Sequence, residues 1–333
     1  MAKKSGKASS KEGKTKKEPP KSAEDDMKQF LKAYLAASTA RNCEPMKLVE
    51  AGATLHRAII HPDLVQLDKG GVTVTHLEAI FDAVVSSNYM AMHALQLWNV
   101  KLGDHAAVAV ANFLLRSQCL QTLEMADCGL GVDGCNTLGE VIDRSPSLES
   151  INLEHNHIGD LGVAKLVACL PGKSAISSLN LSYCEFGSDG AKALADRLFS
   201  VQTLTALDLS GNFNFGAVGV SAILDATAGH PCVRRLGLSG TGFGIEQKVH
   251  TSLTNCIKQS QCTHYDLRGN HMGDSQAYTY AQLLKSESGS HVTHFAVSDL
   301  LDPGVLKLVT AAAEGNKKGS KKGSKKKGKK KKS

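Results

Sequence analysis

The chain has 333 residues, 42% of them hydrophobic and 5% aromatic, and a net charge of +7. Its lysine-rich ends, residues 1–22 and 315–333, together carry +17, so the residues between them carry −10. These values exclude a uniformly basic globular protein, and no apolar run approaches the roughly 18–20 residues of a membrane-spanning helix. The sequence also starts without the apolar stretch of a secretory signal. Its nine cysteines include no CxxC pair, so we expect free thiols in a reducing compartment.

The amino-terminal region divides into a tail and a helical cap. Residues 1–22 are rich in Lys, Ser and Gly, cannot bury a core, and are predicted to be disordered. Residues 23–61 are predicted to form two helices, because Phe30 and Tyr34 belong to an amphipathic stripe that a capping box at Ser22 opens. We expect these helices to cover the apolar end of the domain that follows.

An internal repeat dominates the rest of the sequence. Each unit has leucine-type residues at positions i, i+3 and i+5, a polar or thiol residue at i+8 and an apolar residue at i+10. One unit reads Leu148, Ile151, Leu153, Asn156 and Ile158. Eight units start at residues 92, 120, 148, 176, 204, 233, 262 and 292, which are 28–30 residues apart. A weaker unit is predicted before them, with Val65 and Leu67 in the positions of Leu95 and Leu97.

This repeat predicts a curved α/β solenoid. Side chains alternate along a strand, so residues i+3 and i+5 share a face and point into the core, and the rest of each unit is long enough for a helix. One unit cannot cover its apolar face alone, so the units must stack, with a parallel sheet on the concave side and helices outside. We predict that residues 62–313 form the solenoid, closed by a helix from Asp302 to about Ala313. Residues 314–333 are predicted to be disordered.

Position i+8 predicts a hydrogen-bonded ladder inside the solenoid. Asn156, Asn212 and Asn270 are expected to bond the backbone of the neighbouring unit, and Cys128 and Cys184 to replace them with a weaker thiol donor. Glycine-rich turns recur before the helices. The GxGxxG segment at residues 129–134 is therefore interpreted as a repeat turn and not as a dinucleotide-binding loop.

Residues able to do chemistry do not converge in the sequence. His264 and His294 occupy the same position of adjacent units, ~4.8 Å apart, but a metal site needs three or four ligands. No cysteine has a histidine or an acid at a spacing typical of a nucleophile. We therefore predict no catalytic residue, no metal and no cofactor.

The outward positions of the concave strands predict a binding surface. Positions i+4 and i+6, with i+7 in the first four units, carry five acids against one arginine and include the only tryptophan. Aromatic side chains on a polar surface are typical of binding hot spots; the alternative is a face that is polar only because water covers it. The predicted partner-binding residues are Trp98, Glu124, Asp127, Asn152, Glu154, Asn180, Tyr183, Asp208, Asp266 and Arg268.

The carboxyl-terminal lysines predict an electrostatic arm. The arm has no aromatic residue to stack on bases, so it should bind nucleic acid, acidic protein tails or anionic lipid without sequence preference. The alternative is an arm that keeps the protein soluble or lies on its own acidic body. The predicted polyanion-binding residues are Lys317, Lys318, Lys321, Lys322, Lys325, Lys326, Lys327, Lys329, Lys330, Lys331 and Lys332.

The repeat period and template resemble the ribonuclease-inhibitor-like leucine-rich repeat superfamily over residues 62–313. Its members include ribonuclease inhibitor, tropomodulin, the Ran GTPase-activating protein and leucine-rich repeat subunits of flagellar axonemes. The Ran activators supply an arginine from a repeat loop and usually carry an acidic tail. Here the early loops at residues 102–104 and 130–133 lack arginine, and the tail is polylysine.

The resemblance and the residues together predict a non-enzymatic interaction protein. Its acidic concave face would hold a protein partner, and its lysine tails would bind a polyanion such as tubulin acidic tails or RNA. The leading location is cytoplasmic, on the cytoskeleton of a cilium or flagellum axoneme. The alternatives are a nuclear or ribosome-associated adaptor and a regulator of a small GTPase. We expect a monomer or a subunit of a larger assembly.

Overall fold

A computed structural model describes residues 22–62, 67, 70–170 and 175–329, with side chains described through residue 319. Strands and helices alternate along most of the chain. The strands are β1 (Arg57–Ile60), β2 (Ala94–Trp98), β3 (Thr122–Ala126), β4 (Ser150–Asn152), β5 (Ser178–Asn180), β6 (Ala206–Asp208), β7 (Arg235–Gly237), β8 (His264–Asp266) and β9 (His294–Ala296). The helices are α1 (Ala23–Ala40), α2 (Lys47–Ala53), α3 (Val74–Ser87), α4 (Asp104–Arg116), α5 (Val132–Ile142), α6 (Gly159–Ala168), α7 (Ser188–Leu198), α8 (Gly216–Gly229), α9 (Gln247–Gln259), α10 (Asp274–Lys285) and α11 (Pro303–Lys329).

The strands form one parallel sheet in chain order. Equivalent template positions pair across it, so that Leu123 lies beside Ile151, which in turn lies beside Leu179. The helices pack against their neighbours in sequence, for example α4 against α5 and α8 against α9. The predicted curved α/β solenoid is confirmed.

The core is continuous because every unit contributes the same kinds of residue to it. Leu207 in β6 and Leu209 just after it are 1% and 0% exposed, and Val220 and Ile223 of the following helix are both 0% exposed. Burying one such side chain stabilises the fold by roughly 1.5–3 kcal/mol.

None of the helices in the described ranges is both long and apolar enough to cross a membrane.

The predicted asparagine ladder is present. Oδ1 of Asn156 accepts hydrogen bonds from the backbone N–H groups of Cys128 and Leu130 at 3.0 and 2.9 Å. Its Nδ2 donates to the carbonyl oxygens of Met125 and Leu153 at 2.7 and 2.8 Å. One buried side chain therefore joins two units through three bonds, and a fourth holds its own turn. Asn212 and Asn270 bond their own preceding units in the same way.

The cysteines at this position occupy the ladder as predicted. Sγ of Cys128 donates to the carbonyl oxygen of Leu97 at 3.3 Å, and Sγ of Cys184 donates to that of Leu153 at 3.2 Å. Burial raises the pKa of the Cys184 thiol to about 12. Both thiols therefore stay protonated and can act as donors.

Aspartates at the starts of helices connect successive units on the other side of the core. Oδ1 of Asp160, in the first turn of α6, accepts hydrogen bonds from the N–H groups of Gly187 and Gly190 at 2.8 and 2.7 Å. The aspartate thus caps the helix of the next unit, α7, instead of its own. A Cβ atom on Gly190 would lie 2.8 Å from the same oxygen, which explains the glycine there.

The sheet begins earlier than predicted. The range 23–61, predicted as a purely helical cap, contains β1 in addition to α1 and α2. Ala58 pairs with Leu95 and Ile60 with Leu97. The first unit therefore precedes the second by 37 residues, where the sequence analysis assumed 30.

The weak unit predicted at Val65 and Leu67 is consequently wrong in register. Leu67 lies outside any strand, and Val65 lies outside the described residues. Side chains alternate between the two faces of a strand, and the two residues of each unit that point into the core must be buried. In β1 these residues are Ala58 and Ile60, which are both fully buried. The predicted solenoid boundary at residue 62 therefore moves back to Arg57.

The carboxyl-terminal helix is longer than predicted. α11 begins at Pro303 but runs past Ala313 to Lys329. Residues 314–329 of the segment predicted to be disordered belong to this helix, and the last four residues lie outside the described part of the chain. Val309 and Ala313 anchor the helix in the core.

Asn316 extends the cap beyond the predicted boundary. Its Nδ2 lies 2.9 Å from the carbonyl oxygens of Leu284 and Val292 and 3.3 Å from that of Gly289. These carbonyls belong to the end of α10 and to the loop that leads into β9. Residues beyond Ala313 therefore help to close the solenoid.

Buried histidines make the stability of the fold depend on pH. His230 is 2% exposed, and its Nδ1 accepts hydrogen bonds from the N–H groups of Cys232 and Val233 at 3.2 and 3.1 Å. Burial lowers the pKa of His230, and the same cause lowers the pKa of His76. Below about pH 6.5 the unfolded chain binds protons that the folded chain does not.

We expect the free energy of unfolding to fall as the pH drops below about 6.5, because protonation favours the unfolded state. His230→Asn should lower stability at pH 7.5 but make it less sensitive to acid. Urea unfolding at pH 7.5 and pH 5.5 measures both quantities. His155→Asn, at an exposed position, serves as the control. Equal losses of stability on acidification in the His230→Asn protein and the unmodified chain would contradict the assignment.

Candidate functional site

Short polar side chains end the inner strands of the concave face. At position i+4, side-chain oxygens of Asn152, Asn180, Asp208 and Asp266 each accept a hydrogen bond from the backbone N–H two residues on, at 2.9–3.2 Å. These Asx turns bend the chain out of the sheet. Four of the predicted partner-binding residues thus hold the backbone. Glu124 is too long for such a turn, and its strand is two residues longer than β4.

The concave face is acidic in its middle and basic towards its carboxyl-terminal end. The strands and exits of four consecutive units contain six acids and no lysine or arginine; these are residues 121–129, 149–157, 177–185 and 205–213. Within this part, Nδ2 of Asn180 donates to Glu154 at 3.0 Å. Arginines first appear in the next unit, at Arg234 and Arg235. The predicted pair Asp266 and Arg268 lies in this basic part as an ion pair of 2.5 Å.

Trp98 lies at the amino-terminal edge of the acidic part. Its Nε1 donates a hydrogen bond to Oε2 of Glu124 at 2.9 Å, and the indole is partly exposed. Asp127 of the same unit as Glu124 forms an ion pair with Lys101. Each contact joins a residue of the first matched unit, Trp98 or Lys101, to an acid of the next unit.

The strand exits form a rim with an unusual backbone. At position i+7, Asn99, Asp127, His155 and Tyr183 have φ angles of 52–57°, in the left-handed region. The same position holds Gly211, Gly240 and Gly269 in the next three units, also with positive φ. A left-handed conformation costs a side chain with a Cβ roughly 1–2 kcal/mol, and glycine nothing. The large side chains on the rim are therefore retained against a local energetic cost.

Three aromatic rings line up along this rim. His155 stacks on Tyr183 with ring centroids 4.4 Å apart and planes 5° apart. Phe213 meets the other side of Tyr183 edge-on, at 6.4 Å and 71°. Tyr183 is 45% exposed and Phe213 67%. The tyrosine ring lies over Gly211, where a Cβ atom would come within 2.4 Å of it.

The rings border a cleft of about 860 Å³, which we call the rim cleft. Carboxylates of Asp127 and Glu185 lie in its wall. Glu185 is bound to Nδ1 of His157 at 2.7 Å. The cleft therefore offers exposed aromatic faces next to negative charge, which suits a positively charged side chain.

Sequence reasoning found only part of this cleft. It identified Asp127 and Tyr183, but missed Phe213, His157 and Glu185, which lie at position i+9. The sequence does contain one signal for Phe213. The unit that starts at residue 204 has one inserted residue, and the longer turn that results contains this aromatic residue. In the part of the chain that the structure describes, no three His, Cys, Asp or Glu side chains are placed to hold a metal ion.

The predicted polyanion-binding lysines lie on α11 and beyond it. Nζ of Lys317 is 3.4 Å from Nε2 of His294 on β9, and Lys318 is exposed. The next six lysines, from Lys321 to Lys329, continue the helix. Lys330, Lys331 and Lys332 lie outside the described residues.

Comparison with known families identifies the repeat. Residues 116–139, 144–167, 176–195 and 202–224 match the model of a leucine-rich repeat family. The matched segments coincide with the units that carry the rim cleft. No curated protein sequence matches the chain.

Several solved structures are similar to this chain at low identity. An internalin from Listeria monocytogenes is 12% identical over 85% of this chain and 81% of that one, with a TM-score of 0.42. The tropomodulin C-terminal domain of Caenorhabditis elegans is 14% identical over 48% and 79%, with a TM-score of 0.30. The TLR13 chain of a TLR13–ssRNA13 complex is 12% identical over 70% of this chain, with a TM-score of 0.38. The chain spans only 29% of that TLR13 chain.

Proposed function

We propose that this leucine-rich repeat protein is a non-enzymatic scaffold that binds a basic segment of a protein partner. Leucine-rich repeat solenoids generally mediate protein–protein interaction. The proposed site is the rim cleft together with the acidic units of the concave face. The observation that carries the proposal is the left-handed backbone of His155 and Tyr183, which holds aromatic rings at the surface where later units have glycine.

A lysine or arginine of the partner would find two kinds of contact in the cleft. Its cationic group could lie over the ring of Phe213, which is 67% exposed, an interaction of about 0.5–2 kcal/mol. The carboxylate of Glu185 borders the same space. The acids of the four middle units would also raise the local concentration of a basic segment and speed its association.

Removing the exposed rings should weaken this interaction strongly. The partner can be identified by photo-crosslinking in cells from benzoylphenylalanine placed at position 183. With that partner purified, the double variant Tyr183→Ala/Phe213→Ala should lose about 2–4 kcal/mol of binding free energy, as buried aromatic hot spots do. Isothermal titration calorimetry measures the loss. Trp98→Ala should add to it if the contact extends along the acidic face.

The chain offers matched controls for both rings. Tyr278 on α10 and Phe199 after α7 are exposed by 49% and 59%, and both lie in the helical layer. Tyr278→Ala/Phe199→Ala removes the same two ring types and should leave binding unchanged. Equal weakening by both double variants, or full binding by Tyr183→Ala/Phe213→Ala, would move the working surface away from the rim.

The lysine segment supports a second part of the proposal, attachment to a polyanion. We propose that the lysines from Lys317 onward hold the scaffold on acidic tubulin tails or on RNA, with an axoneme of a cilium or flagellum as the location and the nucleus as the alternative. A fluorescent fusion tests it when compared with a fusion that lacks residues 321–333. This deletion keeps Asn316, which closes the solenoid. Unchanged localisation would contradict the attachment.

Regulation of a small GTPase is the enzymatic alternative, and we expect it to be absent. The units whose loops form the rim cleft present histidine, glutamate and aromatic side chains, and residues 121–129, 149–157, 177–185 and 205–213 contain no arginine that could stabilise a transferred phosphoryl group. GTP hydrolysis by Ran-type GTPases should not accelerate when the protein is added. Stimulation that disappears in Arg268→Ala would overturn this expectation.

A further inference from the structure

We propose that the body of the protein binds a phosphate group where β7, β8, β9 and α11 bring Arg235, His264, His294 and Lys317 together. This phosphate site lies at the starts of the last strands, in the basic part of the concave face. It is distinct from the rim cleft, and its existence does not depend on a protein partner binding there.

The four residues converge because of the repeat register. Arg235 pairs with His264, and His264 pairs with His294, on three adjacent strands. The two imidazole rings stack with centroids 4.1 Å apart and planes 14° apart. Nζ of Lys317 approaches Nε2 of His294 to 3.4 Å. Arg235, His264 and His294 line one groove of about 680 Å³.

Two positive groups lie beside the stacked imidazoles, Arg235 from β7 and Lys317 from α11. Two carboxylates line the same groove: Asp266 on β8 is held by Arg268 at 2.5 Å, and Asp208 on β6 accepts a hydrogen bond from the backbone N–H of Ser210 at 3.0 Å. Arg235 makes no salt bridge with any carboxylate of the described residues. Burial lowers the pKa of His264, and the positive charges of His294, Arg235 and Lys317 lower it further. An anion bound beside these groups would offset their mutual repulsion.

Phosphate fits these donors better than a carboxylate does. Its three terminal oxygens can accept hydrogen bonds from several directions, and it carries up to two negative charges near neutral pH. A carboxylate has two oxygens in one plane. The guanidinium of Arg235 is suited to bidentate contact with a phosphate, and the imidazoles and the lysine supply the other directions.

The test measures signals from histidines of the site, so that binding of pyrophosphate to the lysine tail is not counted. Pyrophosphate is added to the full chain while the imidazole signals of its histidines are followed by NMR. We expect saturable shifts of the His264 and His294 signals and a rise in the pKa of His264, because a bound anion stabilises its protonated form. Signals of His155 and His157, on the rim, should not move. Arg235→Ala should weaken binding about tenfold.

Two comparisons make the result decisive. Arg144→Ala removes an exposed arginine from the end of α5 and changes the net charge equally, so it should leave the affinity unchanged. Uniform shifts of all histidines, no saturable shift, or equal affinity in Arg235→Ala and Arg144→Ala would overturn the site. An oligoglutamate peptide that shifts the same two signals at lower concentration than pyrophosphate would overturn phosphate as the ligand.

Discussion

Asn156→Ala is expected to lower the free energy of unfolding by roughly 3–5 kcal/mol, since it leaves buried polar groups without partners. The N–H groups of Cys128 and Leu130 lose their acceptor, and the carbonyl of Met125 loses a donor. Asn156 is 1% exposed, so water has little access to replace the lost bonds. Urea unfolding followed by circular dichroism measures the change.

An asparagine on the surface provides the control for this prediction. Asn136 in α5 donates only to Glu140, at 2.9 Å, on an exposed helical face. Asn136→Ala should change stability by less than about 0.5 kcal/mol. A cost below about 1 kcal/mol for Asn156→Ala would show that neighbouring units hold together without the ladder, and that apolar packing alone couples them.

Affinity for a polyanion should fall steeply as the salt concentration rises, and this dependence should come from the lysine segment. Residues 321–333 contain nine of the eleven carboxyl-terminal lysines. If most of them contact phosphates, binding to a labelled oligouridylate should fall about a thousandfold between roughly 50 and 200 mM salt, because each contact releases a counterion. Deletion of residues 321–333 should flatten this dependence. Fluorescence anisotropy at several salt concentrations gives the slope.

A full-length variant with glutamine at the same nine lysines separates charge from length. It should behave like the deletion, because the counterion effect depends on charge alone. If neither variant changes binding at any salt concentration, the lysines do not hold a polyanion. The residual binding of both variants reports on the body of the protein, including the proposed phosphate site.

The periodic part of the fold could be predicted because every unit repeats the same physical requirement. Asn156 recurs at its position since only an amide both accepts from and donates to the backbone there, and that position is visible in one sequence. β1 escaped the template because Ala58 occupies a leucine position and a longer connection follows it. The length of α11 escaped it because a lysine-rich segment reads as disordered when its anchors, Val309 and Asn316, are not known to be in contact with the core.

The candidate site was less accessible to sequence reasoning. Tyr183 could be placed on the surface from its register, but its stacking on His155 and its contact with Phe213 depend on how the exits of three units bend. That bend comes from backbone angles at position i+7, which the sequence indicates only where glycine is present. The stacked pair His264 and His294 was placed correctly on adjacent strands, whereas the positive groups around it come partly from the misassigned α11.

The contact between Tyr183 and Gly211 means that the units of this solenoid are not interchangeable. The ring can lie over the next strand exit only because that exit has no side chain. If the unit of residues 176–203 were duplicated in tandem, the first copy would meet a tyrosine where it now meets a glycine, and its ring could not keep its present position. Adding a repeat would therefore change the surface of the solenoid, because that surface depends on which units are neighbours as well as on how many there are.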